Sequence, residues 1–227
     1  MNIDFTAADA ARLLDACSAG VVLGGLLIAG TRSMGRAIWL VAAQAVLLSV
    51  AAMGVGVATG SPQMVIGGLL TMAARGVAVP LILGWILRRS PVRTERNPYL
   101  GPRASLVVAI VIVFAAAVTI DGSVVDRALG GAVDAPRALP VAVAEVLTGL
   151  LIAMTRRKGL SIVVGLLVFE NGISLIAFSL TYGMPLVIEL GVAFDLLLAT
   201  VVVWVYARRM LTAHGSLSTD HMRNLRG

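Results

Sequence analysis

Seven long apolar runs occupy most of this 227-residue chain, at approximately 13–30, 37–58, 63–87, 104–120, 138–154, 160–180 and 184–207. Each comes close to the ~20 helical residues that cross a hydrocarbon core. Strands are excluded as the spanning element, because lipid offers nothing to an unpaired backbone group and the alternating pattern of a barrel is absent. Hydrophobic residues make up 59% of the chain and charged residues 13%, against about 25% charged in soluble domains. The expectation is an all-α membrane protein with seven transmembrane helices.

The basic residues follow the alternation of those runs. Arg32 and Arg36 come after the first run, and Arg88, Arg89, Arg93, Arg96 and Arg103 after the third. Arg156, Arg157 and Lys158 follow the fifth run, and Arg208, Arg209, Arg223 and Arg226 the seventh. These are 14 of the 18 basic residues, and seven alternating helices put them all on one side. The excess of basic residues in cytoplasmic loops then sets the N-terminus outside and the C-terminus in the cytoplasm. The net charge of +6 is explained by topology and the lipid bilayer, and no nucleic-acid partner is expected.

No covalent chemistry is visible. Cys17 is the single cysteine, with no partner for a disulfide and no metal-ligand spacing. CxxC pairs, HExxH, a phosphate loop and GxGxxG are all absent. The chain is therefore expected to have no catalytic residue, no metal and no cofactor of its own.

Connections divide the sequence into a three-helix region at 1–103, a linking helix with an outer loop at 104–137, a second three-helix unit at 138–207 and a cytoplasmic tail at 208–227. The tight connections RRKG and TYGMP predict that the fifth to seventh helices pack antiparallel.

Charged side chains inside such runs point to function, since one at mid-membrane costs about 2.5–3.5 kcal/mol on insertion scales. Glu170 lies 12 residues beyond Lys158, and Asp195 lies 13 before Arg208. At 1.5 Å per residue both are about 18–20 Å from the same boundary. Glu145 is 11 residues before Arg156, or roughly 17 Å deep. Glu189 is nearer the outer end of the seventh run. Arg75 is 13 residues from both Pro62 and Arg88, near the middle of the third run, and calls for a carboxylate or a file of water. Pro80 follows five residues later and predicts a kink. Asn171, Thr148, Ser174 and Ser179 are candidates to hold water.

Plainer readings stand beside these. Glu189 can snorkel to the interface, Glu145 can serve as a helix–helix hydrogen bonder, and Arg75 can form a purely structural ion pair. Such pairs stabilise poorly compared with apolar packing, which favours function. The basic loops read as topology determinants, and Trp39, Trp85, Trp204 and Tyr206 as interfacial anchors.

The stretch from Ile162 through FENG (169–172), then Pro185, Ile188-Glu189, Asp195 and the closing HGSLSTDHMRNLRG, resembles component E of hydrogenase-4-type, formate-hydrogenlyase-like complexes. The likeness extends to Val79-Pro80-Leu81, near which the family carries a basic residue close to Arg75. The unit at 138–207 is also similar to the K subunit of respiratory complex I and the C subunit of multisubunit cation/proton antiporters. In that correspondence Glu170 and Asp195 are the acids of the second and third helices. Glu145 departs from the family, which carries a histidine there.

The resemblance implies a non-catalytic subunit in a bacterial or archaeal inner membrane. Its partners would be antiporter-like membrane subunits, a membrane anchor subunit and a peripheral hydrogenase and iron–sulfur module. The [NiFe] centre and iron–sulfur clusters would belong to those partners. Glu170, Asp195, Glu145, Arg75 and Glu189 would contribute to a lateral path for protons or sodium. Two alternatives remain open: a structural anchor of the same kind of complex, and a stand-alone transporter. The transporter would be marked by inverted repeats or broken helices, which the sequence does not display.

Overall fold

The first helix begins where the sequence supplies a cap. Thr6 and Asp9 form a capping box in which the Thr6 hydroxyl accepts from the Asp9 amide at 3.3 Å and the Asp9 carboxylate accepts from the Thr6 amide at 3.2 Å. Helix α1 then runs over Ala7–Gly30, and α2, capped by Ser33, over Met34–Ala58. A computed structural model describes residues 6–89, 98–120 and 138–181, all within one compact unit. The run at 184–207, Glu189, Asp195, the tail and the side chain of Ser179 lie outside the described residues.

Helix α2 stops at a Schellman turn. Gly60 takes a left-handed φ of 64°, a conformation that side chains disfavour. Its N–H bonds the Val57 carbonyl at 3.3 Å, and the Ser61 N–H bonds that of Gly56 at 2.9 Å.

The third run is a helical rod in three parts. Helix α3 (Pro62–Thr71) opens on its proline, a π segment occupies Met72–Ala78, and α4 covers Val79–Arg89. The N–H of Val79 reaches back five residues to the Ala74 carbonyl. Pro80 offers no N–H, and its ring collides with a carbonyl four residues back in a regular helix. The wider π turn, which contains Arg75, accommodates Pro80 just beyond its end, where the sequence predicts only a kink.

Helices α5 (Pro102–Thr119), α6 (Ala138–Thr155) and α7 (Gly159–Thr181) complete the set. Six helical stretches among the described residues are long and apolar enough to cross a membrane, the character of a multi-pass membrane protein. The most extensive pairing is α6 on α7, followed by α1 on α2, with α1 also against α6 and α2 against α7 and the π segment. Glycines allow the first of these: a Cβ on Gly149 would meet that of Phe169 at 2.8 Å, and one on Gly172 would meet Val146 Cγ2 at 2.7 Å. Backbones that close gain packing where the hydrophobic effect gives helices no reason to associate. The rod of α3 and α4, like α5, leaves much of its apolar surface exposed, including Leu81 and Phe114.

One end of the bundle is basic. Arg156 is buried there, and its guanidinium donates to the Ala29 carbonyl in the last turn of α1 at 2.8 Å. The Tyr99 N–H bonds the Thr155 carbonyl at 2.9 Å, and Arg157 lies 4.1 Å from the centre of the Tyr99 ring. Arg156 therefore differs from the sequence expectation for a loop cation, because it ties the end of α6 to the end of α1.

Candidate functional site

Each long helix is almost wholly apolar, so the few polar side chains in their middles find one another. Glu170 stands eleven residues from either end of Gly159–Thr181. Arg75 is in the π segment, and the two are buried with exposures of 3% and 5%. They form an ion pair through Arg75 Nη2 and Glu170 Oε1. Arg75 Nη1 also donates to Ser174 Oγ at 3.1 Å, and that hydroxyl donates to the Glu170 carbonyl at 3.0 Å. Ser174 is one turn beyond Glu170, on the same face of α7, so the guanidinium fork is held at two points.

A second cluster lies beside the first. Gln44, at mid-length of α2, donates through Nε2 to Glu145 Oε1 at 2.5 Å and to the Val21 carbonyl of α1 at 2.7 Å. Its Oε1 accepts from Asn171 Nδ2 at 3.2 Å. The Val21 partner fixes the amide's orientation, since a backbone carbonyl only accepts and so must face Nε2. Gln44, Glu145 and Asn171 are each only 1% exposed. Thr148, one turn along α6 from Glu145, is equally buried.

The clusters adjoin through consecutive residues of α7. Glu170 faces Arg75, while Asn171 faces Gln44. Side chains from α2, the π segment, α6 and α7, with the backbone of α1, thus surround one polar core. Room for Glu145 comes from Gly25 of α1, where a Cβ would lie 2.8 Å from Oε1 and 2.9 Å from Cδ. The second carboxylate oxygen of Glu145 is buried and has no hydrogen-bond partner among the described residues. It can gain or lose a proton without breaking the bond to Gln44.

Of the residues the sequence points to, Arg75, Glu170, Ser174, Glu145 and Asn171 therefore come together. Gln44 is the member the sequence leaves unmarked. Its only signal is that no other amide side chain occurs in Met34–Ala58.

The comparisons with known proteins bear on the whole chain. It is 30% identical over 219 residues to the uncharacterized protein Rv0085 of Mycobacterium tuberculosis, an alignment covering 94% of this chain and 96% of that protein. The chain belongs to the Rv0085 family. This Rv0085 relative is also homologous to hydrogenase-4 component E of Escherichia coli K12, at 28% identity over 165 residues, 73% of this chain and 74% of the other. The Shigella flexneri protein of the same description matches to the same extent. No protein-family model and no solved structure matches the chain.

Proposed function

We propose that this Rv0085 relative is a non-catalytic membrane subunit of a multisubunit hydrogenase of the hydrogenase-4 type, and that its polar core belongs to a proton or sodium path coupled to electron transfer elsewhere in the complex. The observation that carries the reading is the pair of buried carboxylates on adjacent helices: Glu145 is hydrogen-bonded through Gln44 to Asn171, and Glu170, the chain neighbour of Asn171, is paired with Arg75. A proton path needs groups that bind and release protons, spaced so that amides, hydroxyls or water connect them. Carboxylates supply the first requirement, and Gln44, Asn171, Ser174 and Thr148 supply the second. Homology to hydrogenase-4 component E supports placing such a path in a hydrogenase.

In this reading a seventh span at 184–207 adds Asp195 and Glu189, and completes with α6 and α7 a unit like the K subunit of complex I. The basic end faces the cytoplasm. The [NiFe] centre and iron–sulfur clusters reside in partners, among them antiporter-like subunits, a membrane anchor and a peripheral module.

The test uses inverted vesicles that contain the complex. Glu145→Gln keeps an oxygen for Gln44, and the double variant Arg75→Met/Glu170→Leu leaves no buried charge unpaired. Both are expected to leave assembly and hydrogenase electron transfer intact while proton movement, read by a pH-sensitive dye, falls about a hundredfold, the lower end of the range for a positioned proton-transfer group. Unchanged proton movement in both variants would overturn the path.

A second reading, a structural anchor, is favoured by Gln44, which fastens α1, α2, α6 and α7 together through three hydrogen bonds. Leucine at both acids with proton movement retained would decide for the anchor.

A further inference from the structure

A cleft of about 1460 Å³ opens beside the basic end of the bundle, away from the polar core. It lies where α1 ends and where α2 and α5 begin. Arg32, Arg36 and Arg103 line it, and no carboxylate does. All three are exposed, and none makes an ion pair among the described residues. Apart from Thr31, the remaining wall is apolar, with Leu23, Leu26, Leu27, Leu40 and Leu106, and Trp39 beside them. Leu23, Leu27 and Trp39 are exposed at 60%, 59% and 71%. No side chain caps the N-terminus of α5 at Gly101, so the positive end of that helix dipole adds to the same field.

We propose that this cleft binds an anionic phospholipid, the arginines and the start of α5 holding its phosphate and the leucines its acyl chains. Charge and depth select this occupant. The arginines sit at the helix ends, where headgroups lie, and the leucines continue into the span. Basic pockets between transmembrane helices suit acidic headgroups, and arginine grips phosphate through a planar fork. A soluble phosphate would leave the leucine wall unused. The volume exceeds the roughly 300–1,000 Å³ of clefts for drug-sized molecules, as acyl chains require. Trp39 lies where an indole marks the interface.

The test takes the full chain, with whatever subunits accompany it in mild detergent, into phosphatidylcholine vesicles. Brominated phosphatidylglycerol or brominated phosphatidylcholine is added at equal mole fraction, and tryptophan fluorescence is read. The expected result is stronger quenching by the anionic lipid, an excess that disappears in Trp39→Phe. Arg32→Gln, Arg36→Gln and Arg103→Gln are each expected to lower apparent affinity about fivefold, the effect of one basic side chain at an anionic surface. The triple variant should bring the two lipids level while its quenching by brominated phosphatidylcholine stays normal, which also reports that it is folded. Equal quenching by both lipids in the native chain would overturn the proposal. So would a preference that survives the triple substitution, or a Trp39 shielded from both lipids by a neighbouring subunit.

Discussion

Gln44 and Glu145 are 101 positions apart in sequence and 2.5 Å apart in the fold, joined by a hydrogen bond buried among five helical segments. The same amide nitrogen holds the Val21 carbonyl, and the amide oxygen holds Asn171. One uncharged side chain therefore organises a carboxylate, a backbone and the neighbour of a second carboxylate.

Gln44→Leu should lower stability by about 1–3 kcal/mol, because it leaves buried polar partners unsatisfied. Pairing it with Glu145→Leu should cost less than the sum of the two, since removing both partners of a buried bond is far milder than removing one. Thermal unfolding of the four chains of this cycle in detergent gives the coupling directly. Strict additivity would contradict the bond.

Arg75 and Glu170 give a sharper contrast. Breaking a buried ion pair from one side costs about 3–5 kcal/mol, whereas replacing both members with apolar residues is often neutral. Arg75→Met alone should therefore impair membrane accumulation strongly, and Arg75→Met with Glu170→Leu should restore much of it. Immunoblots of membrane fractions read the outcome. A double variant as poor as the single would show that the charges serve accumulation separately.

The sequence makes parts of this core plain and hides others for physical reasons. A charge within an apolar run is conspicuous, so Arg75, Glu145 and Glu170 stand out by composition alone. Which acid meets Arg75 depends on how helices separated by 95 residues rotate against each other, and depth along one helix does not contain that information. Gln44 carries no charge and barely alters the hydropathy of α2. Pro80 announces a disturbance, but its missing N–H is compatible with a kink or a π segment, and the residue alone does not choose between them. Arg156 looks like its loop neighbours, and only the approach of α1 reveals that it is buried.

Gly25 tests the space around Glu145. Gly25→Ala sets a methyl group against the carboxylate, and overpacking of this kind costs about 1–3 kcal/mol. Shortening the acid to alanine removes the obstacle, so Gly25→Ala should be nearly harmless in a Glu145→Ala background. Melting temperatures of the single and double variants decide the point. Equal losses in both backgrounds would mean that the glycine is needed for another reason.

Arg156 and Arg157 are adjacent, and their environments predict opposite results. The Arg156 guanidinium is buried on the Ala29 carbonyl in the last turn of α1, where a cation also meets the negative end of the helix dipole. Arg156→Gln should lower stability by about 1.5–3 kcal/mol, the range for a hydrogen bond to a charged group. Arg157 stacks on the exposed Tyr99 ring, an interaction that contributes about 0.5–1 kcal/mol at such sites. Unfolding in detergent should accordingly separate the two substitutions. If they proved equally mild, the contact between α6 and α1 would carry no stability. If they proved equally severe, the stacked pair on Tyr99 would matter as much as the buried cap, and the basic end would depend on the whole Arg156–Arg157 corner instead of one guanidinium.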